Sequence, residues 1–263
     1  MSIVVITIPG EQKREFVNQL HKKTKNGVSC VIIQKPKKTS IIQTLLRLSK
    51  TVGWAHVPRE LWYGLLLRMR PTLQSYLLYV RLRTHKEFSP GYIPKVIEVD
   101  SINSKEVRAL LLKLKPKLLV IWGTMVLKPE IFSIAKHAIN LHMGLGEHYR
   151  GAAANQFAIY MNEKDKIGAT IHYVHTAVDT GDVLATVTVD SRLPPKEFFT
   201  ELNDRAEEAF LEIAIQLWKH EKLDSTPQNT ERSRNILLRE WTPQRRYAVA
   251  QKIQAWENED LSK

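Results

Sequence analysis

Short runs of β-branched and aliphatic residues alternate with helix-period segments along the first half of the chain, and that alternation limits the fold more than any other feature. Ile3 to Ile8 reads as a buried strand, Glu11 to Lys23 as a helix with Phe16, Val17 and Leu20 on one face, and Val28 to Gln34 as a second strand. Lys95 to Asp100 predicts a strand, and Ser101 to Lys115 a helix carrying Val107, Leu110, Leu111 and Leu114 on one side. Leu118 to Trp122 is a buried-type strand, Lys128 to Lys136 a short helix, and Ala138 to Leu141 begins another strand. Strands separated by helices do not pair as tight hairpins, and they predict an open, mostly parallel, Rossmann-like α/β sheet. Ligands of such sheets sit beyond the carboxyl ends of the strands, here near Trp122 and His142. Further strands follow at Ala169 to Val174 and Val183 to Val189, then a long amphipathic helix, Phe198 to Lys219, a polar stretch, Leu223 to Asn229, and a closing helix, Thr242 to Glu257. The pattern predicts an α/β domain over residues 1–190 and a short, mainly helical extension over residues 191–263, with no run of short strands able to close a barrel.

A chain of 263 residues with 43% hydrophobic side chains can bury a full core. Its single cysteine, Cys30, excludes a disulfide framework within the chain and suits a reducing, cytoplasmic setting. The amino terminus lacks the order of regions a signal peptide needs, and no apolar run approaches the ~18 residues that span a bilayer. The first strand-to-helix turn, Pro9-Gly10-Glu11, has no G-x-G-x-x-G, so a nicotinamide dinucleotide is not expected.

Charge is unevenly placed. The chain carries a net +12, and the segment Lys35 to Lys86 holds eleven basic residues against one acid, Glu60, a net +10. Between Arg47 and Arg83, leucines, Trp54, Trp62 and Met69 alternate with arginines in a pattern of two or three short helices broken near Gly53, Pro58 and Pro71. One reading is a basic helical insertion, about residues 39–86, that packs on the sheet and exposes its arginines; the other is a surface for anionic lipid or an acidic ligand.

The reactive side chains concentrate in Asn140-Leu141-His142, His148-Tyr149-Arg150-Gly151, Gly168 to His172, and Val178 to Asp182. Singly, each has an ordinary explanation: a strand-end turn former, a satisfied core histidine, an Asx turn at Asp179. Together, Asn140 and His142, one residue apart on a strand, face the same side. If Asp179 folds back onto His142, the set supplies an amide N–H for an oxyanion, an imidazole for proton transfer and a carboxylate to orient it. No serine or cysteine lies between Asn140 and Asp182, which favours direct attack by an acceptor over an acyl-enzyme. The spacings of His142, His148, His172 and His175 match no strong ligand signature, and no metal is expected.

The stretch INLHMGLGEHYRGAAANQFAIY followed by GATIHYVHTAVDTGDVL resembles the folate-dependent formyltransferase family, with its Asn-x-His, aromatic-Arg-Gly and Asp-x-Gly blocks in order. LLVIWGTMVLKPEIF resembles that family's folate-binding strand and turn. The resemblance covers Leu118 to Val189 well and the amino-terminal pattern loosely. It implies the formyltransferase fold and transfer of a formyl group from N10-formyltetrahydrofolate to a primary amine. It further implies that Asn140 stabilises the oxyanion, His142 moves the proton and Asp179 holds His142, with His172 behind the aspartate. The pterin is expected against Met125, Val126 and Leu127 and the loop carrying Val178 and Asp179. Where most relatives have Ser-Leu-Leu-Pro after the histidine, this chain has Gly144-Leu145-Gly146-Glu147, a change expected to alter loop stiffness.

The blocks resemble most closely the enzymes that formylate nucleotide-linked amino-deoxysugars for O-antigen, lipopolysaccharide or other surface glycans, which implies such a sugar as acceptor and a homodimer. Tyr149 and Arg150 are the candidate substrate contacts, Arg150 because a guanidinium grips phosphate well. A nucleic-acid partner is not expected of such an enzyme. The same chemistry on glycinamide ribonucleotide, an amino acid or methionyl-tRNA stays open. So does a different class, a peripheral membrane or nucleic-acid binding protein working through Lys35 to Lys86, and a weak membrane contact through that segment is compatible with the enzyme reading.

Overall fold

The structure is a computed structural model that describes residues 2–36, 39–84 and 88–261; Lys37, Lys38 and Lys86 of the basic segment lie outside the described residues. In chain order the elements begin β1 (Ile3–Thr7), α1 (Glu11–Lys23) and β2 (Val28–Gln34), followed by three helices, α2 (Ile41–Val52), α3 (Val57–Met69) and α4 (Pro71–Tyr76). Then come β3 (Val96–Val99), α5 (Lys105–Leu114), β4 (Leu118–Trp122), α6 (Pro129–Phe132) and β5 (His137–His142). The second half adds β6 (Tyr149–Gly151), α7 (Ala154–Tyr160), β7 (Ala169–Tyr173), β8 (Val183–Val187), α8 (Pro195–Lys219), β9 (Arg234–Ile236) and α9 (Pro243–Leu261).

The main sheet runs in the order β3-β2-β1-β4-β5-β7-β8. The first five strands pair in parallel, and β7 and β8 add an antiparallel edge. Strand order reverses between β1 and β4, the point where a doubly wound sheet opens a crevice at its carboxyl edge. Thr7 Oγ1 donates to the Trp122 carbonyl at 2.9 Å there, tying the ends of the two strands.

β1 and β4 are buried along their whole length because both faces are covered. Alternate residues serve opposite layers. Ile3, Val5, Val120 and Trp122 meet α1 and α8 through Phe16, Leu20, Phe210 and Ala214. Val4, Ile6, Leu119 and Ile121 meet α5 and α6 through Val107, Leu111 and Ile131. The long helix α8 therefore contributes to the central core, and its first turns join a second apolar cluster with α7 and α9 around Phe157, Phe198, Val249 and Trp256.

The basic excursion packs on α9. Leu67, Leu73, Tyr247 and Ala250 form a small cluster, the Tyr63 and Tyr247 rings stand 5.2 Å apart, and Arg70 donates to the Tyr247 hydroxyl at 2.8 Å. Glu60, the segment's acid, is buried and accepts from the Gln244 N–H at 2.9 Å, capping the start of α9. Pro58 sits in the first turn of α3, where a missing N–H costs nothing, so the break between α2 and α3 falls near it, as the sequence predicts. Among the described residues no helix is long and apolar enough to cross a membrane.

Candidate functional site

β5 ends at the carboxyl edge with Asn140 and His142 on the same face, and antiparallel β7 sets His172 directly opposite Asn140. The loop after β7 brings Asp179 back to them. Its backbone is left-handed, φ 50°, a conformation a short polar side chain tolerates. Asp179 Oδ2 lies 3.3 Å from His142 Nδ1 and accepts from the Gly151 N–H at 2.9 Å. Oδ1 accepts from Asn140 Nδ2 at 3.2 Å and lies 3.4 Å from His172 Nε2. Asn140 Nδ2 is also 3.3 Å from His172 Nε2. One carboxylate thus gathers an amide, a backbone N–H and two imidazoles.

Burial alone would raise the Asp179 carboxyl's pKa. The nearby His142, the bond and charge of His172, and the Gly151 N–H outweigh it and hold the group well below the ordinary carboxylate range. Both nitrogens of His142 face oxygens, Asp179 on Nδ1 and the Tyr149 carbonyl 2.9 Å from Nε2. A ring carrying both protons satisfies both oxygens, and a neutral ring satisfies one. His172 Nδ1 lies 2.8 Å from the Tyr173 carbonyl, which fixes that ring's orientation.

Of the other residues expected at the site, Met125 and Val126 are 61% and 60% exposed in the loop after β4, and Met125 Sδ lies 3.6 Å from Gln34 Nε2 at the end of β2. Asn103 bonds the Val126 carbonyl and the Lys128 N–H, bracing that loop, and Leu127 is buried in the core. Val178 offers its carbonyl to Arg150 Nη1 at 3.2 Å, and Arg150 Nε donates to Ser233 Oγ at 3.1 Å. Arg150 is therefore engaged as a tether of the Asp179 loop. Tyr149 differs from expectation: its ring is buried and its hydroxyl bonds Glu163, so it presents its carbonyl, and not its phenol, to the site. His148 pairs with Glu147, and His175 is exposed beside Thr176; neither joins the cluster.

Sequence reasoning missed the strap that holds these loops. Thr226 bridges Val183, Gln228 Nε2 donates to the Asp179 carbonyl at 3.0 Å, Ser233 Oγ donates to the Gly146 carbonyl at 2.7 Å, and β9 pairs with β6. These residues lie in a polar stretch without periodicity, so no local signal marks them. The unusual glycines are explained by the same packing. A Cβ at Gly144 would lie 2.4 Å from Ala154 Cβ and 2.5 Å from His142 Nε2, and one at Gly146 would lie 2.0 Å from Gln228 Nε2. Thr170 Oγ1 further pins the loop, donating to the Gly144 carbonyl at 2.9 Å and accepting from the Gly146 N–H at 3.2 Å. Close approach, and not looseness, is what glycine provides here.

A family model described as formyl transferase matches residues 1–216. The chain belongs to the formyl transferase family. A methionyl-tRNA formyltransferase of Chlorobium chlorochromatii is 31% identical over 122 residues, 46% of this chain and 38% of the relative. This formyl transferase chain spans less than half the length of the curated relatives it matches. Among solved structures, a sugar N-formyltransferase from a Shewanella species superposes with a TM-score of 0.55 at 13% identity, covering 95% of this chain and 88% of that one. An N-formyltransferase from Helicobacter canadensis, solved with folinic acid and dTDP-3-aminofucose, gives 0.51 at 17% identity, covering 90% and 71%. At such identities the likeness is one of fold.

Proposed function

We propose that this chain transfers a formyl group from N10-formyltetrahydrofolate to the primary amine of a nucleotide-linked amino sugar. The observation that carries the chemistry is the convergence of Asn140, His142 and Asp179 within hydrogen-bonding reach at the sheet's carboxyl edge. The folate supplies the activated formyl carbon. The exposed apolar pair Met125 and Val126, in the loop after β4 and next to the strand-order reversal, suits a flat heterocycle.

In this reading Asn140 Nδ2 donates to the oxygen that becomes negative as the amine attacks. His142 takes the proton from the attacking amine and returns one to the departing nitrogen. For the first of these, Nε2 must present a lone pair to the amine, so its contact with the Tyr149 carbonyl has to open. Asp179 keeps Nδ1 protonated and aims the ring, and Gly151, Gln228 and Arg150 keep the Asp179 loop in place. His172 supports Asp179 from behind.

The sugar acceptor is supported by the resemblance of the Asn140-Leu141-His142, Tyr149-Arg150-Gly151 and Asp179-Thr180-Gly181 blocks to the enzymes that formylate nucleotide-linked amino sugars. The test offers the protein N10-formyltetrahydrofolate with dTDP-linked amino sugars, glycinamide ribonucleotide or methionyl-tRNA, and follows the mass of each acceptor. A nucleotide sugar is expected to gain one formyl group; formylation confined to the tRNA or the ribonucleotide would reject the acceptor, and none with any amine would reject the reaction. The loop has its own expected result. Gly144→Ala pushes on His142, so kcat for the accepted amine should fall by roughly 10²-fold, as for displacement of a positioned group by ~1 Å. An unchanged kcat in stopped-flow turnover would show that the close packing at Gly144 does not govern the ring's position.

A further inference from the structure

The basic excursion keeps one face on the body and leaves a second, apolar face uncovered. α3 turns Glu60, Tyr63 and Leu67 toward α9, and Val57 is buried at its start. Its opposite side carries Trp62, Leu65 and Met69, with Leu61 beside them, and all four are exposed, Met69 at 67%. A helix apolar on both sides is buried on both or awaits a partner on one. The adjoining elements carry further exposed apolar side chains: Trp54 is 63% exposed in the turn before α3, and Ile41 and Ile42 are 80% and 70% exposed in the first turn of α2. That turn is firmly set by a reciprocal cap, Ser40 Oγ accepting from the Gln43 N–H at 3.1 Å and Gln43 Oε1 from the Ser40 N–H at 3.0 Å.

The exposed charges of α2 to α4 have one sign. Arg47, Lys50, Arg59 and Arg68 are exposed on α2 and α3, and by helical geometry Arg59 and Arg68 flank the apolar stripe of α3 on opposite sides. Glu60 is turned inward and spent on α9. Apolar and aromatic side chains between basic ones form the pattern of a helix lying in a membrane interface, where the stems of Arg and Lys stay apolar and their heads reach the phosphates. A second copy would bring like charge against like. A nucleic acid would satisfy the arginines but leave Ile41, Ile42, Leu65 and Met69 in water.

We propose that α2 to α4 form a docking face for an anionic bilayer surface, on which the protein sits without spanning it. The excursion leaves β2 at the same carboxyl edge that carries Asn140 and His142, so docking keeps the reactive end of the sheet attached to the membrane-facing element by a short stretch of chain. This inference does not rest on the formyl-transfer reading.

The full chain would be sedimented with vesicles of phosphatidylcholine alone and of phosphatidylcholine mixed with phosphatidylglycerol, across a salt series. The expected result is pelleting with the mixed vesicles only, weakened by salt. The double variant R59E/R68E should lose roughly tenfold or more in partitioning, and W54A/W62A should also release the protein, each variant keeping the circular dichroism of the parent. The salt series uses the unaltered chain and stands even if a variant misfolds. Equal binding to neutral vesicles, no pelleting with either, a self-association abolished by W54A/W62A, or retention on RNA without retention on vesicles would each overturn the proposal.

Discussion

Replacing His142 with alanine is expected to lower formyl transfer by about 10²–10⁴-fold, the range of a positioned proton-transfer group, with the fold intact. The side chain is buried at the end of β5, where its two ring nitrogens face Asp179 and the Tyr149 carbonyl. Asp179→Asn should fall in the same range for a different reason. The amide that replaces a carboxylate oxygen meets His142, His172, the Gly151 N–H and Asn140, and it cannot accept from all of them. The two single variants and the double variant should show similar residual rates, because the residues act as a unit. Full activity in either single variant, measured by formyl gain on the accepted amine, would remove the pair from the mechanism.

Asp179 also ties the site to acid stability. Its folded-state pKa is depressed, so the carboxylate stabilises the fold above the ordinary Asp value, about 3.9, and that contribution is lost as pH falls below it. The Asp179→Asn variant lacks that titration. Denaturant unfolding carried from neutral pH down through ~4 should therefore fall less steeply for the variant than for the parent. Parallel slopes would mean that another carboxylate dominates the acid limb.

Phe210→Ala is expected to cost about 3–5 kcal/mol, the largest stability effect of any single change considered, and to lower the Tm by roughly 10 °C. Phe210 is fully buried on α8, stacked on Phe16 with centroids 5.2 Å apart and edge-on to Trp122 at 6.4 Å. Removing the ring leaves a cavity between α8, α1 and the sheet that rigid neighbours cannot close. Trp122 ends β4 immediately before the Met125 loop, so the same variant should weaken folate binding in a titration at temperatures where it is still folded. A loss under ~1 kcal/mol would mean that α8 is not anchored in the central core.

Much of this was legible in residue patterns. The strands Val28–Gln34 and Leu118–Trp122 and the helix Glu11–Lys23 have the bounds that periodicity assigns, because full burial on both faces leaves uninterrupted apolar runs. The Lys128 to Lys136 helix shrank to Pro129–Phe132, and α7, β6 and β9 were not foreseen. Three-residue strands and one- or two-turn helices carry too few residues for a period to register. Asn140 and His142 were paired by strand geometry alone, Asp179 joined them on the condition that its loop folds back, and His172 entered by resemblance. Gln228 and Ser233 were invisible, since a side chain that bonds a distant carbonyl needs no local pattern.

The sequence by itself determined the parallel α/β frame, the edge at which the reactive residues stand and the concentration of charge in one helical segment, all set by periodicity and order along the chain. Only the tertiary structure decided what each polar group faces. It turned the Tyr149 hydroxyl inward to Glu163 and gave its carbonyl to His142, engaged Arg150 on the Asp179 loop, and made Gly144 and Gly146 points of close packing. It likewise spent Glu60 on α9 and left the apolar face of α3 uncovered. The physical reason is range: backbone periodicity is written over neighbouring residues, whereas a hydrogen bond or a steric contact depends on residues that only the folded chain brings within a few ångströms.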